Sequence, residues 1–214
     1  MQWINTLAED YASSYTSQLD DVLQKVYDET IANHSEAQMI SSPVQGKLLE
    51  FLASMLRPKY ILEIGTFTGF SAICLAKGLQ EGGKLHTIEL RDADANIAWK
   101  NICLAGMDEK IHLHRGDAHA IIPRLDFEWD FVFVDADKIS YVAYYELVLQ
   151  RLSNRGFILA DNVLFHGEVL EEKIDGKNAK AIDAFNKHVL NDQRTDHAFL
   201  TIRDGLLLIK KRSS

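Results

Sequence analysis

Tyr60-Ile61-Leu62-Glu63-Ile64-Gly65-Thr66-Phe67-Thr68-Gly69-Phe70-Ser71 is the stretch from which the rest of the chain is read. Its apolar start reads as a strand covered on both faces, because such a strand needs no polar alternation. Two glycines then mark a turn, and Ser71-Ala72-Ile73-Cys74-Leu75-Ala76-Lys77 resumes as a helix. Strand, glycine turn and helix in succession present backbone N–H groups to a cofactor in α/β sheets. The acid at the strand end narrows the choice. Glu63 would repel a phosphate, whereas a cationic, phosphate-free cofactor would welcome it. S-adenosylmethionine, with its sulfonium and ammonium groups, has that character.

Downstream, apolar strand patterns at 60–64, 84–90, 110–115, 130–135 and 156–161 alternate with helical patterns at 70–80, 92–105, 117–124 and 138–151. That alternation predicts a mostly parallel, doubly wound sheet. One more helix is expected over 177–190. Two apolar runs, 198–202 and 206–209, flank Arg203-Asp204-Gly205 and predict a hairpin on a short Asp-Gly turn. The result is a seven-stranded, Rossmann-like α/β sheet with a C-terminal antiparallel hairpin.

Upstream, residues 3–33 show helical spacing, with Leu19, Val22, Leu23, Val26 and Tyr27 on one face. A further helix over 46–56 should turn Leu48, Leu49, Phe51, Leu52 and Leu56 inward, with Ser41-Ser42-Pro43 as its start signal or that of a preceding turn. These helices precede the first strand and suit a lid or an oligomer face. With only three prolines and no repeat, the chain reads as one domain over 1–214, helices over 1–57 and α/β core over 58–214.

A formal net charge of −8 argues against non-specific binding to nucleic acid or anionic membrane. No apolar run reaches membrane-span length, and Met1-Gln2-Trp3 does not open a signal peptide. A cytoplasmic enzyme is expected, with Cys74 and Cys103 as reduced, buried thiols. Trp3, Trp99 and Trp129 are expected to be packing residues.

Ligands of a doubly wound sheet bind beyond the carboxyl ends of its strands. Acids gather there: Glu63, Glu89, Asp117, Asp135, Asp137 and Asp161, with Asn162 beside the last. Glu89, at the end of the second strand, suits the hydroxyls of an adenosine ribose. Asp117 reads as a helix cap. Asp135, Asp161 and Asn162 offer hard oxygens from two strand ends, which favours Mg²⁺, Mn²⁺ or Ca²⁺ over Zn²⁺. Lys138 follows Asp135 by one helical turn. Beside a divalent ion its ammonium pKa should fall, so it could take a proton from a substrate hydroxyl. His112 and His114 share a strand face, but with no third ligand in view they read as packing or surface residues.

Five stretches together resemble the cation-dependent O-methyltransferases, the family of caffeoyl-coenzyme A and catechol O-methyltransferases. They are Ser41-Ser42-Pro43-Val44-Gln45-Gly46, Leu62 through Ser71, Val134-Asp135-Ala136-Asp137-Lys138, Ala160-Asp161-Asn162 and Asp204-Gly205-Leu206-Leu207-Leu208. The resemblance spans about residues 35–211. It implies a Rossmann-like S-adenosylmethionine-dependent methyltransferase fold and a homodimer. It implies that Ser41, Glu63, Gly65, Thr66, Ser71, Glu89, Ala118, Asp135 and Asp137 surround S-adenosylmethionine. It implies that Asp135, Asp161 and Asn162 hold the metal, that Lys138 is the general base and that His166 contacts substrate. Ala136 and Asp137 resemble the plant and bacterial branch. The acidic stretch 166–177, with Glu168, Glu171 and Glu172, would repel a coenzyme A thioester, so a small uncharged catechol is the expected acceptor.

Two rivals stand beside this reading. A nicotinamide oxidoreductase would be expected to carry Gly-x-Gly-x-x-Gly, whereas the turn here is Gly65-Thr66-Phe67-Thr68-Gly69. A non-catalytic S-adenosylmethionine-binding protein would not need three hard-oxygen ligands and a lysine on one rim.

Overall fold

The computed structural model describes residues 6–212. Seven strands form one sheet: β1 Tyr60–Ile64, β2 Lys84–Glu89, β3 Ile111–Arg115, β4 Trp129–Val134, β5 Leu152–Asp161, β6 Thr195–Leu200 and β7 Leu206–Lys211. Their order is β3-β2-β1-β4-β5-β7-β6. The first five run parallel, and β7 pairs antiparallel with both β5 and β6. Strand order reverses between β1 and β4, where a doubly wound sheet opens its crevice.

Eight helices surround the sheet: α1 Thr6–Tyr15, α2 Asp21–Asn33, α3 Pro43–Leu56, α4 Phe70–Ala76, α5 Asp92–Leu104, α6 Ala118–Ile121, α7 Tyr141–Gln150 and α8 Lys177–Asn191. One face packs its apolar core against α6, α7 and α8, the other against α2 to α5. Both faces of β1 are therefore buried, and its run of apolar residues is accounted for.

The helical spacing over 3–33 resolves into two helices. The Asp20 side chain accepts from Leu23 N at 2.9 Å and starts α2 afresh. The beginning of that stretch, with Trp3, lies outside the described residues. Ser42 caps α3 and Pro43 is its first residue, as its start signal predicts. The inward face of α3 differs from expectation. Gln45, Gly46, Leu49 and Ala53 are buried, while Phe51 and Leu56 are exposed. Close approach decides this: a Cβ on Gly46 would come within 2.7 Å of the Phe70 ring, so small residues take the contact.

Trp129 is buried as expected, but Trp99 is 42% exposed, and Cys103 is exposed while Cys74 is buried. The hairpin loop is longer than an Asp-Gly turn. It spans residues 201–205 and carries Arg203 and Gly205 at positive φ. Asp204 is drawn out of the loop instead. Its carboxylate accepts from His166 N at 2.5 Å, and its carbonyl accepts from Leu164 N at 2.8 Å.

Candidate active site

A cleft of about 870 Å³ lies across the carboxyl ends of the parallel strands. Gly65 and Thr66 line it from the first turn, Ser71 from the start of α4 and Ser41 from just before α3. Glu89, Ala118, Asp135, Asp137 and Lys138 line it from the next strand ends, with Asp161, Asn162 and His166 opposite. Of the predicted site residues, Glu63 alone is not on this wall. It is fully buried just beneath the turn.

The turn exists because of two glycines. Gly65 has φ of 98°, and a Cβ there would sit 1.9 Å from the Asp135 carbonyl oxygen. Any side chain would force the β1 and β4 ends apart. Glu89 braces the turn from the neighbouring strand, accepting from Thr66 N at 3.2 Å and Phe67 N at 2.7 Å. Beneath it, Glu63 accepts from the Thr87 hydroxyl at 2.5 Å, and its Oε1 is buried without a partner. Burial pushes the Glu63 carboxyl up to about 8 against the hydrogen bonds of Ser71 and Thr87, with Asp135 and Glu89 adding to the rise. A buried acid with an orphan oxygen beside the cleft is the environment a cationic ligand group would relieve.

At the β4 and β5 ends, side-chain oxygens converge. Lys138 Nζ donates to Asp135 Oδ1 at 3.0 Å, Asn162 Oδ1 at 2.8 Å and the Tyr141 hydroxyl at 2.8 Å. Two of the three predicted metal ligands thus already point at one cationic centre. The third, Asp161, is buried beside them. Its Oδ2 accepts from Gln45 Nε2 at 2.5 Å and its Oδ1 from Asn162 N at 2.7 Å. Burial and the Asp135 charge push the Asp161 carboxyl well above the usual carboxylate range. Hard oxygens, and a buried acid raised by a neighbouring carboxylate, fit a divalent ion.

The protein groups do not depress the Lys138 pKa. Burial works to lower it, but Tyr141 and Asp135 hold the ammonium above the ordinary lysine range. Lowering it would require a further positive charge nearby.

Sequence reasoning missed Gln45, Arg203 and Asp204, which reach the site from α3 and the hairpin, and Tyr141 and Tyr144. Gln45 bridges Arg203 and Asp161 across 158 and 116 residues of chain. Tyr141 follows Lys138 by one helical turn, which is a local signal, and Tyr144 donates to Asp137 at 2.6 Å. Asp117 caps its helix as expected, through His119 N at 2.9 Å. Glu168, Glu171 and Glu172 do not line the cleft. His112 and His114 have a third histidine beside them after all: His86 Nδ1 and His114 Nε2 are 2.9 Å apart. No described helix is long and apolar enough to cross a membrane.

A switch-point cleft with a braced glycine turn and a buried acid beneath it defines an S-adenosylmethionine-dependent methyltransferase. A solved O-methyltransferase from Bacillus cereus in complex with SAH superposes with a TM-score of 0.89 at 29% identity, covering 96% of this chain and 97% of that one. The O-methyltransferase family model matches residues 12–212, and the chain belongs to that family. A probable caffeoyl-CoA O-methyltransferase of Dictyostelium discoideum is 32% identical over 217 residues, 99% of this chain and 94% of its own length. A catechol O-methyltransferase of Niastella koreensis is 40% identical over 150 residues, 68% of this chain and 67% of its own length. The protein is an S-adenosylmethionine-dependent O-methyltransferase.

Proposed function

We propose that the enzyme methylates one hydroxyl of a vicinal diol on a small aromatic ring, with Mg²⁺ or a similar divalent ion at Asp135, Asp161 and Asn162. The convergence of Asp135 Oδ1 and Asn162 Oδ1 on the Lys138 ammonium carries this reading. Oxygens already gathered around one cation suit a second cation that two adjacent hydroxyls could share. The names of the catechol and caffeoyl-CoA relatives support the acceptor class.

A bound divalent ion supplies positive charge that acidifies a coordinated hydroxyl and lowers a neighbouring ammonium pKa. With that charge present Lys138 would release its own proton to solvent and could then take the hydroxyl proton at Nζ, held in place by Tyr141 and Asn162. Ser41, Glu63, Gly65, Thr66, Ser71, Glu89, Ala118 and Asp137 hold and orient S-adenosylmethionine around the glycine turn. His166, in left-handed backbone at φ 56°, closes the acceptor end. Much of the acceleration comes from fixing the hydroxyl oxygen and the sulfonium methyl in attack geometry.

The relatives' names favour one second reading, a caffeoyl-CoA-like thioester acceptor. We also assign the homodimer surface to the N-terminal helices, where Leu7, Tyr11 and Tyr15 form an exposed stripe on α1. The charge balance and apolar pattern suit a cytoplasmic setting with no nucleic-acid or membrane partner. The test is methyl transfer from labelled S-adenosylmethionine to catechols and caffeoyl-type acceptors, with Mg²⁺ and with EDTA. Mg²⁺-dependent transfer to a vicinal diol is expected. Transfer that EDTA leaves untouched would refute the metal assignment.

A further inference from the structure

Three lysine or arginine side chains stand on the cleft wall, and two of them are neutralised. Arg91 pairs with Asp94 at 2.6 Å and with Glu36, and Lys138 pairs with Asp135 at 3.0 Å. Arg203 pairs with no carboxylate among the described residues. Its side chain has one hydrogen bond there, from Nη1 to Gln45 Oε1 at 2.7 Å. The adjacent Asp204 does not serve it, because that carboxylate accepts from His166 N at 2.5 Å and Asn162 Nδ2 at 3.3 Å.

Arg203 is also held in an uncommon conformation. Its φ is 48°, in the left-handed region that disfavours a residue with a Cβ. Such positions persist where surrounding structure enforces them, and they cluster at ligand sites. Gln45 holds the far end of the same residue. It is 1% exposed, and its amide can be oriented in only one way. A guanidinium has only donors and a carboxylate only acceptors, so Oε1 must face Arg203 and Nε2 must face Asp161. One corner of the guanidinium is thereby pinned. Its Nε and Nη2 are uncommitted, and planar N–H pairs of this kind match a carboxylate in two parallel hydrogen bonds. Through Gln45, this cation stands one side chain away from Asp161, where the diol is proposed to bind.

We propose that Arg203 binds a carboxylate carried by the acceptor, which makes the preferred substrate a dihydroxyaromatic acid. This rests on the vicinal-diol reading and replaces the expectation of an uncharged catechol. The only other carboxylate the reaction brings to the cleft is that of S-adenosylmethionine itself, and the experiment separates the two.

Values of kcat/KM are measured for 3,4-dihydroxybenzoic acid and its methyl ester, in the wild type and in Arg203→Gln and Arg203→Lys. S-adenosylmethionine affinity is measured by calorimetry on the same proteins. The wild type should prefer the acid by about 10- to 100-fold, the worth of hydrogen bonds to a charged group. Arg203→Gln should bring the acid-to-ester ratio close to one, and Arg203→Lys should leave it between the two. Cofactor affinity should change less than about twofold. The ratio reports recognition even where a variant loses overall activity, and if Arg203→Gln fails to fold, the wild-type ratio and Arg203→Lys decide. Equal use of acid and ester by the wild type overturns the assignment. So does a ratio that survives in Arg203→Gln, or a loss confined to cofactor affinity. A preference for caffeoyl-CoA over caffeic acid overturns it too, because the thioester has no carboxylate on that chain. Methylation of neutral diols as efficiently as acids leaves the diol reading intact and removes only Arg203. No transfer to any diol removes both.

Discussion

The sheet carries two clusters of polar side chains, and they behave oppositely. At the β4 and β5 ends, Asp135 and Asn162 bond a single ammonium with Asp161 buried beside them, and burial and like charge raise Asp161. On β2 and β3, His86, His112 and His114 lie side by side, with ring planes 25° and 15° apart and centroids 5.0 and 5.2 Å apart. Phe127 and Trp129 close over His86. Burial and the neighbouring imidazoles push His86 down to about 4, and burial lowers His112 and His114 as well. The acids converge on a point and repel one another, so they favour a cation. The imidazoles stack with their nitrogens in near-parallel planes and stay neutral. Ligand-type residues in a cluster therefore do not suffice for a metal site; the proposed site adds oxygens that share one cationic centre. A third trio, Glu146, His188 and Asp192, is tied up by Arg194.

Substitution at the two clusters gives the largest test of that contrast. Asp135→Ala should lower kcat by on the order of 10³-fold, since it removes a proposed metal ligand and the charge that holds Lys138. Affinity for S-adenosylmethionine should largely survive, because the glycine turn and Glu89 remain. Equal loss of turnover and cofactor affinity would collapse the division between the two halves of the cleft. His114→Ala should leave kcat and its Mg²⁺ dependence unchanged. A metal requirement altered by that change would make the histidine cluster the functional centre instead. Lys138→Ala comes next: kcat should fall by about 10²–10⁴-fold, the usual worth of a general base, with a much smaller change in KM. An unchanged kcat at every pH would remove Lys138 from proton transfer.

The reading of the sequence reached the cleft and stopped short of its far wall, for a physical reason. Strand ends carry their own label, an apolar run followed by an acid, and Glu89, Asp135 and Asp161 were legible one at a time. The same holds for the sheet, whose buried strands alternate with helices. Gln45 and Arg203 carry no such label. Gln45 looks like any polar residue in the first turn of a helix, and Arg203 like any residue of a hairpin loop. Only the antiparallel docking of β7 on β5 brings residue 203 to residue 45. The inward face of α3 failed for a related reason. Periodicity puts the largest apolar residues inside, whereas the contact with α4 is close enough to need Gly46. His86 was invisible beside His112 because parallel register, not spacing, pairs them.

The smallest effect should also separate the clusters most cleanly, because its sign differs between them. Glu63 binds its proton more tightly when folded, at about 8 against 4.5 unfolded. From about pH 5 to pH 8 the unfolded chain therefore holds fewer protons, and Glu63 makes the ligand-free protein less stable as pH rises. His86 binds its proton less tightly when folded, at about 4 against 6.5. Between those values the unfolded chain holds more protons, so His86 makes the protein less stable as pH falls. From about pH 5 to 6.5 the two slopes oppose each other, so thermal melts should show a Tm that is nearly flat there and declines from about pH 6.5 to 8. Glu63→Gln should flatten the alkaline limb and raise stability at pH 7 by on the order of 1–3 kcal/mol. His86→Phe keeps a flat ring against Phe127 and Trp129 and should tilt the flat region, so that Tm rises as pH falls from about 6.5 to 5, with the decline above pH 6.5 unchanged. Were Glu63→Gln to leave the decline above pH 6.5 in place, Glu63 would be an ordinary ionised carboxylate. The acid beneath the glycine turn would then hold no unrelieved strain for a cationic cofactor to discharge, and cofactor binding would have to draw its electrostatic gain from Glu89 and the rim.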